Sequence, residues 1–324
     1  MYSNSVVRAL IGVSLVASAL AAWAQSYPAK PVKLVVSFAA GGPTDVVARM
    51  VGEKLGSVWG QTVIVENRPG AGGTIGSALV AKSPPDGYTL NLAANSHAYN
   101  DALIGNLPYD VIKDFTPISQ VVSFSNILLV HPSVSAQNLG ELVTFARANP
   151  GKLAFASSGS ATGSHIAAEL FRRVAGIDIL IVHFKGAAPA TTDLLAGQLQ
   201  AMFNNPVSSI PHVKGGKLRA LASTGAARST SLPAVPTVAE SGYPGFKTDT
   251  WFGLMGPAGL SKEIVAKVNR DVAAVLAIDD LRQRLLLQGL DPTVSTPEQM
   301  GEAMRAENKS YGTLIRDANI KMNN

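Results

Sequence analysis

From Leu34 to Arg49 the chain reads LVVSFAAGGPTDVVAR, an apolar β-branched run that passes straight into a helix N-terminus. The valines favour a strand. Gly41 and Gly42 let the backbone turn and approach a ligand closely, and Pro43 suits the first helical position because its missing N–H would have been unpaired anyway. Asp45 falls in the first helical turn. Such a junction points free N–H groups and the positive end of the helix dipole beyond the strand, which favours an anion. An ordinary βα turn has the same residues, so the anion reading depends on whether other loops agree.

Strand and helix patterns alternate through most of the sequence. Strands are predicted at Val32 to Phe38, Thr62 to Glu66 and Tyr88 to Leu92, with helices from Pro43 to Val58 and from Thr74 to Ala81. After strands at Phe115 to Val122 and Asn126 to His131 the same logic starts again. Helices at Leu139 to Asn149, Ser164 to Ala175 and Pro189 to Ala196 alternate with strands at Leu153 to Ala156, Ile179 to His183 and Gln200 to Phe203. This is an α/β arrangement with mainly parallel sheets flanked by helices. Apolar stripes at Ile166, Leu170 and Val174, and at Val265, Val268, Val272 and Val275, have helical spacing. Thr296-Pro297-Glu298-Gln299 is a capping box that opens a last helix, with Met300, Met304, Tyr311, Leu314 and Ile315 turned inward.

The loop-rich stretch from Arg228 to Gly245, broken by Pro233, Pro236 and Pro244, can lead the chain back from one domain to another. With a first crossing between Val122 and Ile127, it predicts a discontinuous domain of residues 25–124 plus 247–324 and an inserted domain of residues 125–246.

The N-terminus directs export. Arg8 forms a short positive region, Ala9 to Ala22 an apolar core, and Ala22-Trp23-Ala24 an A-x-A cleavage site, so residues 1–24 read as a signal peptide. A retained anchor is the alternative, but the apolar stretch is shorter than the ~20 residues a spanning helix needs. No other apolar run is long enough to span a bilayer, so the mature chain is expected to be soluble. Taking those 24 residues from 324 leaves 300, and with Arg8 gone 26 basic residues face 22 acidic ones. The basic residues are dispersed, without the clusters and interleaved aromatics of a nucleic-acid groove. Cysteine is absent, which excludes disulfides, thiolate metal sites and a cysteine nucleophile.

Three more strand exits share the character of the first: Ser157 to Ser164, Lys185-Gly186-Ala187-Ala188-Pro189, and Asn204-Asn205-Pro206. In parallel α/β sheets ligands bind beyond the carboxyl ends of the strands, so polar, glycine-bearing exits from two domains define a cleft. Ser, Gly and Asn also populate ordinary turns, Ser164 is a good N-cap, and Lys185 is equally suited to a ligand carboxylate or to solvent. Catalytic patterns are missing. Gly159-Ser160-Ala161-Thr162-Gly163 has alanine where a nucleophile elbow needs serine. His97, His131, His165, His183 and His212 show no H-E-x-x-H or local ligand pair, so each reads as structural or solvated. Gly70-Ala71-Gly72-Gly73-Thr74-Ile75-Gly76 places its last glycine one position late for a dinucleotide loop. No cofactor and no metal are expected.

At these loops the sequence resembles the Bug family, the periplasmic solute receptors of tripartite tricarboxylate transporters. The resemblance runs along the mature chain through YPAKPVKLVVSFAAGGPTDVVAR from Tyr27, VIVENRPGAGGTIG from Val63, SPPDGYTL from Ser83, HFKGAAPATTDLLAGQLQAMF from His183 and WFGLMGPAGLS from Trp251. It implies a two-lobed type II periplasmic-binding-protein fold that closes on a small carboxylate, such as a di- or tricarboxylate, an acidic amino acid or an aromatic acid.

The family's first ligand loop falls on Ala39, Ala40, Gly41, Gly42, Thr44 and Asp45. The second falls on Ser157, Gly159, Ser160, Thr162, Gly163 and His165, and the third on Lys185, Gly186, Ala187 and Ala188. Asn95, Asn204 and Asn205 fall at further cleft positions. The sequence departs from many relatives at Ala40, where proline is common, at Pro43, where glycine or serine is common, and at Asn204-Asn205, where an Asp is frequent. Asp45 and Asp249 would receive an ammonium group if the ligand were an amino acid, or they are structural.

The function this implies is a non-catalytic, monomeric periplasmic receptor that closes by a hinge and hands its ligand to the membrane subunits of the transporter. An exported hydrolase using the Ser157 to Ser164 loop, and a lobe that presents its ligand to a signalling partner, are the alternatives.

Overall fold

A computed structural model describes residues 27–160, 162–317 and 320. The expected signal peptide lies outside the described residues. The chain begins with β1 (Val32–Val36), α1 (Pro43–Trp59), β2 (Val63–Asn67), a 3-10 turn at Ala71–Gly73 and α2 (Thr74–Ala81). β3 (Thr89–Ala94), a 3-10 turn at Asn95–Tyr99, the single-turn α3 (Asn100–Leu103) and the long β4 (Phe115–Ser125) follow. The next stretch holds β5 (Ile127–Val130), α4 (Leu139–Ala148), β6 (Leu153–Ser157), α5 (Gly163–Ala175), β7 (Ile179–His183) and α6 (Ala187–Leu195). It ends with β8 (Ala201–Asn204), α7 (Pro206–Lys214) and β9 (Arg219–Ser223). The chain returns through β10 (Asp249–Pro257) to α8 (Lys262–Leu276), α9 (Asp279–Leu287), the short β11 (Asp291–Pro292) and α10 (Pro297–Asp317).

These strands form two sheets, ordered β11-β4-β10-β3-β1-β2 and β7-β6-β8-β5-β9. The expectation of mainly parallel sheets holds for β2-β1-β3 and for β7-β6-β8. Pairings of β10 with β3 and β4, of β11 with β4, and of β5 with β8 and β9 are antiparallel. The reason lies in chain reversal: strands that leave or re-enter a sheet at the crossings run against those built by βα units.

Each sheet is covered on both faces, and the alternation of side chains shows it. Val32, Leu34 and Val36 pack into one cluster with α1 and α8, while Val35 faces the opposite cluster with Trp251, Met300 and Met304. In the second sheet Leu128 and Val130 face Phe155, Phe171 and Phe203, whereas Ile127 and Leu129 face Leu194, Met202 and Ile210. All four valines of the α8 stripe are buried. The α5 stripe needs correction: Val174 is exposed, and the buried line is Ala167, Phe171 and Ala175, one position on. The capping box of α10 forms as a reciprocal pair, Gln299 N–H to Thr296 Oγ1 at 3.2 Å and Thr296 N–H to Gln299 Oε1 at 2.9 Å.

Helix α6 starts at Ala187 rather than Pro189, which places the proline in its first turn, where no intrahelical N–H is needed. β10 is buried along nearly its whole length and carries Gly253 and Gly256. A Cβ on Gly253 would lie 2.5 Å from Met300 Cε, so this glycine lets α10 approach the strand closely.

The chain passes from the first sheet to the second at Asn126, between β4 and β5, and the two crossing segments are tied together. Asn126 N–H donates to Thr224 Oγ1 at 2.9 Å, and Thr224 Oγ1 donates to the Thr248 carbonyl at 2.7 Å. Asn126 Nδ2 donates to Thr250 Oγ1 at 3.3 Å.

Candidate functional site

A cavity of about 980 Å³ opens beside these crossings, with walls from both sheets and their helices. Its first wall is the β1–α1 junction, contributing Ser37, Phe38, Ala39, Ala40, Gly42, Pro43 and Thr44. Gly41 takes a left-handed conformation, φ +77°, and turns its N–H onto Asp45 Oδ2 at 2.9 Å. Gly42 N–H is directed to the Ala39 carbonyl at 3.3 Å. The helix proper starts at Pro43, and the amides of Thr44 and Asp45 are first-turn donors without intrahelical acceptors.

Asp45, expected either at the ligand or as a structural group, is part of the support beneath the loop. Its carboxylate is buried and accepts from Gly41 N–H, from Arg49 Nε at 3.0 Å and from Asn67 Nδ2 at 3.0 Å. Burial opposes its charge, but these partners outweigh it and hold its pKa below the ordinary carboxylate value. Gly41 and Asp45 are both absent from the cavity wall.

The second wall is the β6–α5 loop, through Ser158, Gly159, Ser160, Thr162, Gly163 and Ser164. Its shape is set internally. Ser157, fully buried, donates to the Gly159 carbonyl at 3.0 Å and so lies behind the wall. Thr162, not Ser164, is the N-cap, accepting from His165 N–H at 3.4 Å. His165 also lies behind the wall, its ring edge-on to His183 with centroids 4.5 Å apart and its Nε2 3.8 Å from Glu169 Oε1.

The third wall is Ile181 to Pro189. Gly186 has φ +128° and leads the chain into α6 directly after Lys185, whose side chain makes no ion pair among the described residues. His183, read from the sequence as structural or solvated, lines the cavity, and its Nδ1 is buried without a partner among the described residues. Burial, then the neighbouring His165, push its pKa down to about 4, so the ring is neutral near pH 7.

Asn95 and Asn205 line the cavity as expected. Asn205 caps α7 by accepting from Ser208 N–H at 2.9 Å. Asn204 does not reach the wall: its Nδ2 donates to Thr191 Oγ1 at 2.9 Å and its Oδ1 accepts from Asn205. Asp249, for which the structural role was the other expectation, is held off the wall by Ser125 Oγ at 3.1 Å and Lys247 Nζ at 3.2 Å.

Residues that sequence reasoning missed include Pro69 to Gly73, Phe124, Asn126, Thr250 and Phe252. The glycine cluster at 70–73 is visible in the sequence but has the wrong spacing for a dinucleotide loop; it forms a tight turn, Gly73 N–H to Gly70 carbonyl at 3.0 Å. Among the described residues no group of three or more His, Asp or Glu is placed to hold a metal ion. No described helix is long and apolar enough to cross a membrane.

Two lobes, each a sheet sandwiched by helices, with a cleft at their crossing strands, are the architecture of periplasmic binding proteins, whose structures share this fold. Residues 47–320 match the family described as the tripartite tricarboxylate transporter family receptor, and the chain belongs to this Bug-type receptor family. BugT of Bordetella pertussis is 36% identical over 97% of this chain and 98% of that protein. The structure of R. palustris Rpa4515 with adipate has a TM-score of 0.87 at 34% identity, covering 90% of this chain and 98% of that one. MatC (Rpa3494) from Rhodopseudomonas palustris with bound malate gives 0.83 at 32% identity, covering 89% and 100%. The family is one of solute-binding receptors rather than enzymes.

Proposed function

We propose that this protein is a periplasmic receptor that binds a small organic carboxylate between its lobes and delivers it to the membrane subunits of a tripartite tricarboxylate-type transporter. The observation that carries the reading is the composition of the cleft wall. Helices α1, α5 and α6 each bring first-turn residues to it, the N-caps of α2 and α7 reach it at Gly73 and Asn205, and Lys185 stands beside the start of α6, while no described Asp or Glu lines it. First-turn amides and the positive ends of helix dipoles select an anion. The adipate and malate bound to the two relatives are small carboxylates, which agrees.

In this reading residues 25–124 plus 247–324 form one lobe and 125–246 the other, a cleaved signal peptide exports the chain, and the receptor acts as a monomer. Ala39, Ala40, Gly42 and Thr44 contact the ligand from one side, and Gly159, Ser160, Thr162, Gly163, Lys185, Gly186 and Ala187 from the other, with Asn95 and Asn205 between them. Closure about the crossing strands is stabilised because the ligand touches both lobes at once.

A thermal-shift screen of the mature protein over organic acids, sugars and amines tests the proposal, since a ligand that binds only the folded state raises its melting temperature. At least one small carboxylate should do so. Shifts produced by sugars or amines alone would refute the anion reading.

A further inference from the structure

Resting on the carboxylate reading above, we infer that Glu307, behind the cleft wall, is a further determinant of ligand affinity: an acid that enters the cleft draws a proton from solvent onto this carboxyl, so that binding is linked to proton uptake.

The neighbours of Glu307 place it for this. It lies on α10, and its Oε1 accepts from the Trp251 indole of β10 at 2.8 Å. Its Oε2 is buried without a hydrogen-bond partner among the described residues. The side chain of Asn95, which lines the cavity, also acts on it. Asn95 stands on a 3-10 turn that α10 holds directly: Asn308 Nδ2 donates to the Ala98 carbonyl at 2.8 Å, and the rings of Tyr99 and Tyr311 lie 4.9 Å apart. Glu307 is thus one side chain removed from the cleft.

Two other buried carboxylates show what Glu307 lacks. Asp45 accepts from Gly41, Arg49 and Asn67. Asp271 also accepts from an indole, that of Trp59 at 2.8 Å, but Lys267 Nζ stands 2.6 Å from the same oxygen and Arg270 Nε 3.5 Å from the other. No cation pairs with Glu307 among the described residues. The charged and titratable groups that face it are Asp249 at the start of β10, itself paired with Lys247 at 3.2 Å, Tyr99 on the turn that carries Asn95, and Tyr311 one turn on along α10. A carboxyl withdrawn from water, with one donor and a second carboxylate nearby, holds its proton tightly. Burial pushes Glu307 up to about 7 against the pull of Trp251 and Asn95, and Asp249 adds to the rise.

An anion held in the cleft disfavours charge on Glu307, so a bound acid raises the proton affinity of this carboxyl further, and by linkage the proton strengthens binding of the acid. Affinity is highest where Glu307 is protonated and falls as pH rises through its value in the complex.

The indole N–H resonance of Trp251 reports the charge on its acceptor with no ligand present. Once residues 1–24 are removed the tryptophans are Trp59 and Trp251, and Trp251→Phe assigns the two signals. In the ligand-free mature protein the Trp251 signal should titrate with a midpoint between about pH 6 and 8. A bound acid from a panel of adipate, malate, glutamate and benzoate should move that midpoint up by about 0.5–1. A Trp251 signal that does not titrate between about pH 5.5 and 9 overturns the inference.

Calorimetric titration with the same panel supplies a second measurement. An acid that binds should do so about two- to sixfold more tightly at about pH 6.5 than at about pH 8.5, with proton uptake seen as a heat that varies with the buffer. Glu307→Gln, which keeps the acceptor for Trp251 and cannot ionise, should bind equally at both. A pH dependence that survives in this variant would belong to other groups, His165 and His183 among them, and the inference would be wrong. If an acid binds without moving the Trp251 midpoint, the inference fails and the carboxylate reading stands. If Trp251 titrates and no member of the panel binds, it is the carboxylate reading that fails.

Discussion

The indole N–H of Trp251 on β10 donates to Oε1 of Glu307 on α10 at 2.8 Å, linking strand to helix just behind the cleft residue Asn95. Burial, the largest influence, pushes the Glu307 carboxyl up to about 7, with Trp251 and the facing Asn95 pulling the other way and Asp249 adding to the rise. Oε2 of Glu307 and Oδ1 of Asn95 are both buried without hydrogen-bond partners among the described residues. The folded state therefore holds this proton more tightly than the unfolded chain, so stability declines as pH rises from about 4.5 toward 7. Glu307→Gln, which keeps an acceptor for Trp251 and cannot ionise, should remove that decline. Denaturant unfolding should find the variant more stable than wild type by up to about 3 kcal/mol at pH 8 and nearly equal at pH 5. A variant less stable than wild type at pH 8 would contradict this account.

Asp45 supports the first wall from below through Gly41, Arg49 and Asn67. Asp45→Ala should cost about 1–3 kcal/mol of stability and also weaken ligand binding, because Gly41 loses the acceptor that fixes its left-handed turn. Binding unaffected in a folded variant would show that the loop holds its shape without this carboxylate.

Lys185 is exposed at the rim and unpaired among the described residues, so its contribution to an anion is long-range and screened. Lys185→Gln should reduce carboxylate affinity about three- to tenfold at low salt, with the difference shrinking as salt rises. Titrations at two ionic strengths decide it.

Gly163 begins α5 against the crossing strand, and a Cβ there would lie 2.6 Å from Thr250 Oγ1 and 3.4 Å from Asn126 Nδ2. Gly163→Ala should displace the Asn126–Thr250 hydrogen bond and push α5 away from β10, costing about 1–3 kcal/mol. Because this contact joins the lobes, affinity should fall as well, a point that titration of the folded variant checks.

The parts of the cleft legible in the sequence are those whose requirements are local. A strand, two glycines and a proline in sequence dictate the junction at residues 39–44, and the same holds at Gly186-Ala187. Asp45 could not be assigned that way, because its partner Asn67 lies 22 residues further on and decides which way the carboxylate faces. His183 reaches the wall because β7 pairs with β6, a long-range fact. The α5 stripe was displaced because its buried face is built partly from alanines, which carry little hydrophobic signal beside Leu170 and Val174. β10 escaped pattern reading for a related reason: buried on both faces and holding two glycines, it does not alternate.

The central claim is that a carboxylate sits between the lobes, held by the amide-rich starts of α1, α5 and α6. A crystal structure of the mature protein with the acid that gives the largest thermal shift tests it most directly. The account predicts the carboxylate oxygens within about 3 Å of backbone amides in the segments 40–45 and 159–164 or 186–188, with the apolar body against Phe38, Phe184 and Phe252. Ligand density outside the cleft, or a carboxylate turned away from these amides, would contradict it.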